Sequence, residues 1–311
     1  MTLTNRLLRK TPSRDARRRT PHLELVHTPR VLVVLQLDRM ASSLRAVRRG
    51  RTIARRRGAE LTFLVVRHPS VERSTPPTKA ARERGDRGSS VLGTVDWLMA
   101  RSGELAGGHV LVRTGYPTEV TSEVAAGGRY TLIVVGAART SGGQWARVAG
   151  RTRVPVLVAR RGRESRVIVA ATDYTDQRFP TFETAVTMAA RRRGEVLLVH
   201  NVDPQGLVFT RRGGFALSAN AVQKLRDVRA EQLHELALAA PIDAHALVTG
   251  NEDPTSAIVE QSRRRDADIV VVGAHAPSER SVARRRTANA LIERLNRSVL
   301  VVPLSGPRYG V

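Results

Sequence analysis

The stretch of this sequence with the residue types for chemistry is the loop from Gly273 to Thr287. It follows an unbroken β-branched run, Ile269 to Val272, and leads into an amphipathic helix whose spacing predicts a start near Thr287. A loop at the carboxyl end of a buried strand and beside a helix N-terminus collects unpaired backbone N–H groups and the positive end of a dipole, so its natural ligand is an anion. Gly273 lets backbone approach a ligand closely, and the Thr287 hydroxyl serves as a helix cap or a phosphate contact. His275 and His200 have side chains suited to acid–base or metal chemistry. They have no third ligand and no matched carboxylate, and the chain has no cysteine. Neither Gly-x-Ser-x-Gly, Walker A nor Gly-x-Gly-x-x-Gly occurs. The sequence offers a binding loop and no catalytic constellation.

A second chemistry is carried by arginine. The chain has 52 Lys plus Arg against 28 Asp plus Glu, a formal net charge of +24, and only Lys10, Lys79 and Lys224 are lysines. Residues 1 to 29 carry a net +5, residues 30 to 164 a net +15 and residues 165 to 311 a net +4. A uniform compositional bias would spread the excess evenly. Arg48, Arg49, Arg51, Arg55, Arg56 and Arg57 crowd one predicted helix, with no acidic residue between Asp38 and Glu60. A solvated face normally mixes signs, so this one is a candidate surface for a phosphate-rich partner. Aromatic residues are only 4% of the chain, too few for base-stacking platforms. Structured RNA such as a ribosome surface therefore fits better than bare single strands.

The elements that must position these residues repeat. RVLVVLQLD (30 to 38) answers RVIVAATDYTD (166 to 176), and ARRRGAELTFLVVRHP (54 to 69) answers ARRRGEVLLVHNVDP (190 to 204). LVRTGYPTEV (111 to 120) answers LVTGNEDPTSAIV (247 to 259), and TLIVVGAA (131 to 138) answers DIVVVGAH (268 to 275). Gly58 and Gly194 are 136 residues apart, Gly115 and Gly250 are 135 apart, and Gly136 and Gly273 are 137 apart, a register too steady for chance. Each unit alternates Val/Ile runs with amphipathic helical patterns, which predicts a parallel sheet with helices on both faces. Pro117 and Pro254 fall in first helical turns, where a missing N–H is harmless. The closing runs, Val154 to Ala159 and Ser298 to Pro303, would leave apolar sheet edges, so they are expected to pair and join the two units within one chain.

The organisation expected is a basic, disordered arm at 1–29, a first domain at 30–162 and a second at 163–306. A polar insert with Pro and Gly occupies 69 to 90. No apolar run reaches the roughly 18 residues a membrane span needs, and the N-terminus lacks a signal-peptide core. With no cysteine, a reducing cytoplasm is the expected location.

The ATDYTD, LLVH, Gly250-to-Pro254, DIVVVGAH and SVLVVP segments resemble, in order and spacing, the universal stress protein family in its tandem two-domain form. The resemblance spans residues 30 to 304. It implies two Rossmann-like α/β domains, each a five-stranded parallel sheet of order 3-2-1-4-5, and no enzymatic activity. It also implies that some members bind ATP through Gly-x-x-Gly-x9-Gly-Ser/Thr, with an Asp ending the first strand. On that pattern the second domain keeps Asp173, Gly273 and Thr287 but has Ala276 and Arg286 where glycines belong. ATP or another adenine nucleotide is thus expected weakly, if at all, and in the second domain only. Asp173 reads equally as an adenosine contact or as a strand-end residue bonding its own turn. The first domain departs further: Gln36 replaces the Asp, and the loop after Gly136 is about seven residues shorter, as Leu157 and Leu300 are 143 apart. Two functions follow: a non-catalytic stress-response protein whose basic first domain has an interaction role, or an RNA- or ribosome-associating stress factor.

Overall fold

In the computed structural model the described residues are 28–36, 39–67, 107–136, 143–160, 165–172, 179–202, 219–250, 253–274 and 282–304. The basic arm up to residue 27 and the insert at 69 to 90 lie outside them. The first lobe contains β1 (Arg30–Gln36), α1 (Met40–Arg57), β2 (Glu60–Arg67), β3 (His109–Thr114), α2 (Pro117–Gly127), β4 (Leu132–Gly136), α3 (Gly143–Thr152) and β5 (Val156–Ala159). The second contains β6 (Val167–Thr172), α4 (Pro180–Ala190), β7 (Glu195–Val202), α5 (Ala219–Leu238), β8 (Ala244–Gly250), α6 (Pro254–Arg264), β9 (Ile269–Ala274), α7 (Val282–Arg294) and β10 (Ser298–Pro303).

All ten strands form one sheet of order β3-β2-β1-β4-β5-β10-β9-β6-β7-β8. Each lobe therefore has the order 3-2-1-4-5 with parallel neighbours. The lobes meet where β5 and β10 pair antiparallel, Leu157 opposite Leu300. That contact removes the apolar edge each closing strand would otherwise expose. The free edges are the less apolar third strands, β3 and β8, in which no residue is fully buried.

Because strands alternate faces, the sheet carries two cores. One contains Leu32, Val34, Trp145, Leu291, Val299 and Val301, against α2, α3, α6 and α7. The other contains Val33, Phe63, Leu157, Phe182, Leu233 and Leu300, against α1, α4 and α5. Proline occupies the first turn of α2, α4 and α6. The glycine ending α1, Gly58, is left-handed, with φ 58°, and its N–H donates back to Ala54 and Arg55. In α4 the helical spacing of Phe182, Ala185 and Ala189 is the buried stripe. In α5 the buried positions are Leu233 and Ala237, while Val228 is exposed.

On the first-core face α3 and α7 pack together across the join between lobes. On the opposite face α1 and α4 stand apart and leave a groove above β5 and β10.

Candidate functional site

At the carboxyl end of the second lobe, Gly273 sits in β9 opposite Val302 of β10. A Cβ there would lie 2.5 Å from Leu304 Cδ1, so the glycine lets Leu304 fold against the strand. Thr287 is half-buried and lies inside α7, which begins at Val282. The expectation that the helix starts near Thr287 and is capped by it is corrected. The Ala283-to-Arg286 run has high helix propensity and extends the helix by more than a turn toward its N-terminus. Arg286 belongs to the same helix; Asp173, Ala276 and His275 lie outside the described residues. His200 is buried in β7 and its Nδ1–H donates to the Thr172 carbonyl at 2.9 Å, tying β7 to the end of β6.

The neighbouring turn is held by charge. Asp253 caps α6, accepting from Ser256 N at 3.0 Å and Ser256 Oγ at 3.1 Å, and Arg294 of α7 reaches the same oxygen at 3.1 Å. Burial pushes its carboxyl up, but the hydrogen bonds from Ser256 and Thr255 and the Arg294 charge more than offset this and hold it below the usual range.

In the first lobe the ends of β1 and β4 meet α1. Ser43 of α1 takes the Gln36 N–H at 2.9 Å and returns its hydroxyl to the Gln36 carbonyl at 3.0 Å. A Cβ on Gly136 would fall 1.8 Å from the Ser42 carbonyl oxygen, so α1 backbone rests directly on the end of β4. Helix backbone occupies the space beside both strand ends.

The α1 arginines do not share one outward face. Arg49, Arg56 and Arg57 line the groove between the lobes, with Arg166 and Arg191 to Arg193 from the second lobe, whereas Arg48, Arg51 and Arg55 do not. The groove has a volume of about 980 Å³, and Leu157 and Leu300 lie at its base. Asp268 is the only carboxylate among its described lining residues. It is 3% exposed, and its Oδ2 accepts from Arg49 Nη2 and Arg192 Nη1, each at 2.7 Å. The groove draws its cations from both lobes, and the second contributes four arginines outside the Arg48-to-Arg57 set. The signal lay in the repeated Ala-Arg-Arg-Arg-Gly at 54 to 58 and 190 to 194, which gave register but no hint that the two copies face each other.

Elsewhere, Glu195, Asp243 and His245 bring ligand atoms within 4.8 Å of one another. Asp243 and His245 are exposed, and their 3.3 Å contact is a surface ion pair when the imidazole is protonated.

Two parallel 3-2-1-4-5 lobes joined through their last strands define a tandem Rossmann-like α/β protein. The sequence model of the universal stress protein family matches the chain twice, at residues 29–160 and 164–303, and the chain belongs to that family. A universal stress protein from Archaeoglobus fulgidus superposes with a TM-score of 0.59 at 17% identity, covering 88% of this chain and 95% of that one. A putative universal stress protein from Pseudomonas aeruginosa gives 0.55 at 15% identity, covering 89% and 94%. No curated protein matches the chain in sequence. Among the described residues no helix is long and apolar enough to cross a membrane.

Proposed function

We propose that this is a non-catalytic stress-response protein in which the second lobe keeps a weak adenine-nucleotide site and the first lobe has exchanged its site for an interaction role. The observation that carries this reading is the contrast between the two strand ends. In the first lobe a Cβ at Gly136 would strike the α1 backbone, and Ser43 takes both backbone groups of Gln36. In the second lobe the nearest described atoms to a Cβ at Gly273 are those of the Leu304 side chain, which can rotate. Asp173, Gly273, Ala276, Arg286 and Thr287 would form the site, with Arg286 offering a guanidinium to phosphate in place of a tight turn. Its affinity is low because Ala276 adds a methyl group where the family pattern has glycine.

Equilibrium dialysis with ATP tests the nucleotide part. The expected result is weak binding that the Asp173→Ala, Thr287→Ala double variant abolishes; equal binding by both proteins overturns it. Phosphate release from ATP at the buffer rate is the outcome expected of a protein without hydrolytic machinery. The reading as an RNA- or ribosome-associating factor is the weaker one, because α1 divides its arginines between the groove and other faces. Co-sedimentation with ribosomes over a salt series separates the two, since phosphate-backbone binding falls steeply with salt.

A further inference from the structure

The interlobe groove has an approximate two-fold axis through the β5–β10 pair, where Leu157 faces Leu300. The repeat register pairs Arg56 with Arg192 and Arg57 with Arg193, and the triad Arg49, Arg56 and Arg57 of the first lobe lines the groove with the triad Arg191, Arg192 and Arg193 of the second. Charge in the groove is far from balanced. Seven guanidinium groups are set against one carboxylate among the described lining residues. The carboxyl ends of α1 and α4 do not make up the difference, since each helix dipole is equivalent to about half an elementary charge. The repulsion is felt by the groups themselves. Arg57 is held below its ordinary range by burial and then by the charges of Arg191 and Arg192. Arg192 is lowered by burial and by Arg49, partly countered by its bond to Asp268. Cations kept this close in a concave, partly dry site gain most from an anion that contacts several of them at once.

The shape selects among anions. The groove is walled by α1 and α4 and floored by apolar strand residues, and its volume of about 980 Å³ is that of a site for a nucleotide-sized molecule. A nucleic-acid helix is convex and distributes its phosphates along its length, so it would bring few of them inside. A chain of consecutive phosphoryl groups concentrates its charge on the scale of the two arginine triads, and planar guanidinium forks match phosphate oxygens in pairs.

We propose that the groove between α1 and α4 binds a short oligophosphate, free or as the tail of a nucleotide, with Arg56, Arg57, Arg191 and Arg193 gripping it across the two-fold and the Arg49–Asp268–Arg192 contact fixing the walls. This site shares no described lining residue with the loop at the carboxyl end of β9.

Calorimetric titration of the full chain with inorganic tripolyphosphate tests it. Arg56 and Arg191 are exposed, so the Arg56→Gln, Arg191→Gln variant removes charge without opening the core. Arg113→Gln, Arg263→Gln removes the same charge from exposed sites outside the groove. Affinity is expected to fall about tenfold for each groove guanidinium removed and to change about twofold or less in the control. Without ligand, the groove variant is expected to melt no lower than the parent, because repulsion is relieved.

Parallel titrations with ATP identify the source. A matching loss for ATP assigns the tail of a nucleotide, and ATP binding untouched by the groove variant assigns the free chain; both support the site. Equal losses in the groove and control variants, or no binding at low salt, overturn it. So does an RNA oligonucleotide that binds more tightly than tripolyphosphate and depends on the same two arginines.

Discussion

Arg49 Nη2 lies 2.7 Å from Asp268 Oδ2, a bond between residues 219 apart in sequence that joins α1 of the first lobe to the start of β9 in the second. The contact has no symmetric twin. The repeat register puts Ala185 where Arg49 would recur and Thr131 where Asp268 would. The arginine came from one copy and the carboxylate from the other, so the contact belongs to the joined protein and to neither repeat alone.

Replacing Asp268 by Ala should therefore destabilise the whole chain. It leaves Arg49 and Arg192, with side chains 19% and 16% exposed, facing each other without a counter-charge. Removing one partner of a buried ion pair costs about 3 kcal/mol or more. Urea unfolding should show this loss, and Asp268→Ala with Arg49→Met should recover part of it. A midpoint unchanged in Asp268→Ala would mean that the pair is solvated.

Two glycines at equivalent positions should respond oppositely to alanine. At Gly136 a methyl group meets the Ser42 carbonyl at 1.8 Å, so α1 must shift, and a loss of about 2 to 3 kcal/mol is expected. At Gly273 it meets the end of the Leu304 side chain, which can rotate, and a loss below about 1 kcal/mol is expected. Thermal midpoints of Gly136→Ala and Gly273→Ala compare them directly. Equal midpoints would contradict the closer packing ascribed to the first lobe.

Asp253 links α6 to α7 and should make stability depend on pH in a definite direction. Its folded carboxyl titrates below the usual range, so its contribution is complete above the unfolded value of about 3.9 and is lost as pH falls through the folded value. Asp253→Ala should cost about 1 kcal/mol at neutral pH through loss of the cap. The difference from the parent should shrink in urea titrations carried below about pH 4. A gap that is constant with pH would assign the effect to helix propensity instead.

Periodicity and repeat were enough to read much of the architecture from the residues. Runs such as Val31 to Leu35 and Ile269 to Val272 are buried on both faces, which only central parallel strands permit, and Pro117 and Pro254 mark helix starts as expected. The start of α7 is not legible in the same way: the spacing predicts it near Thr287, but the four residues before Thr287 are good helix formers and the helix begins at Val282. Counting charges along the chain places the arginine excess in the first lobe but does not show which helices face each other, so the shared groove is not legible there.

The sequence by itself determined the two parallel lobes, their family and the second lobe's departures from the nucleotide loop, since all of these are written in local pattern and in the comparison of one copy with the other. Only the tertiary structure decided that Arg56 and Arg192 converge over Leu157 and Leu300, and that Asp268 is their one described carboxylate. The reason is physical. Strand and helix formation depend on neighbours in the chain, whereas the field in the groove depends on how two copies dock through β5 and β10.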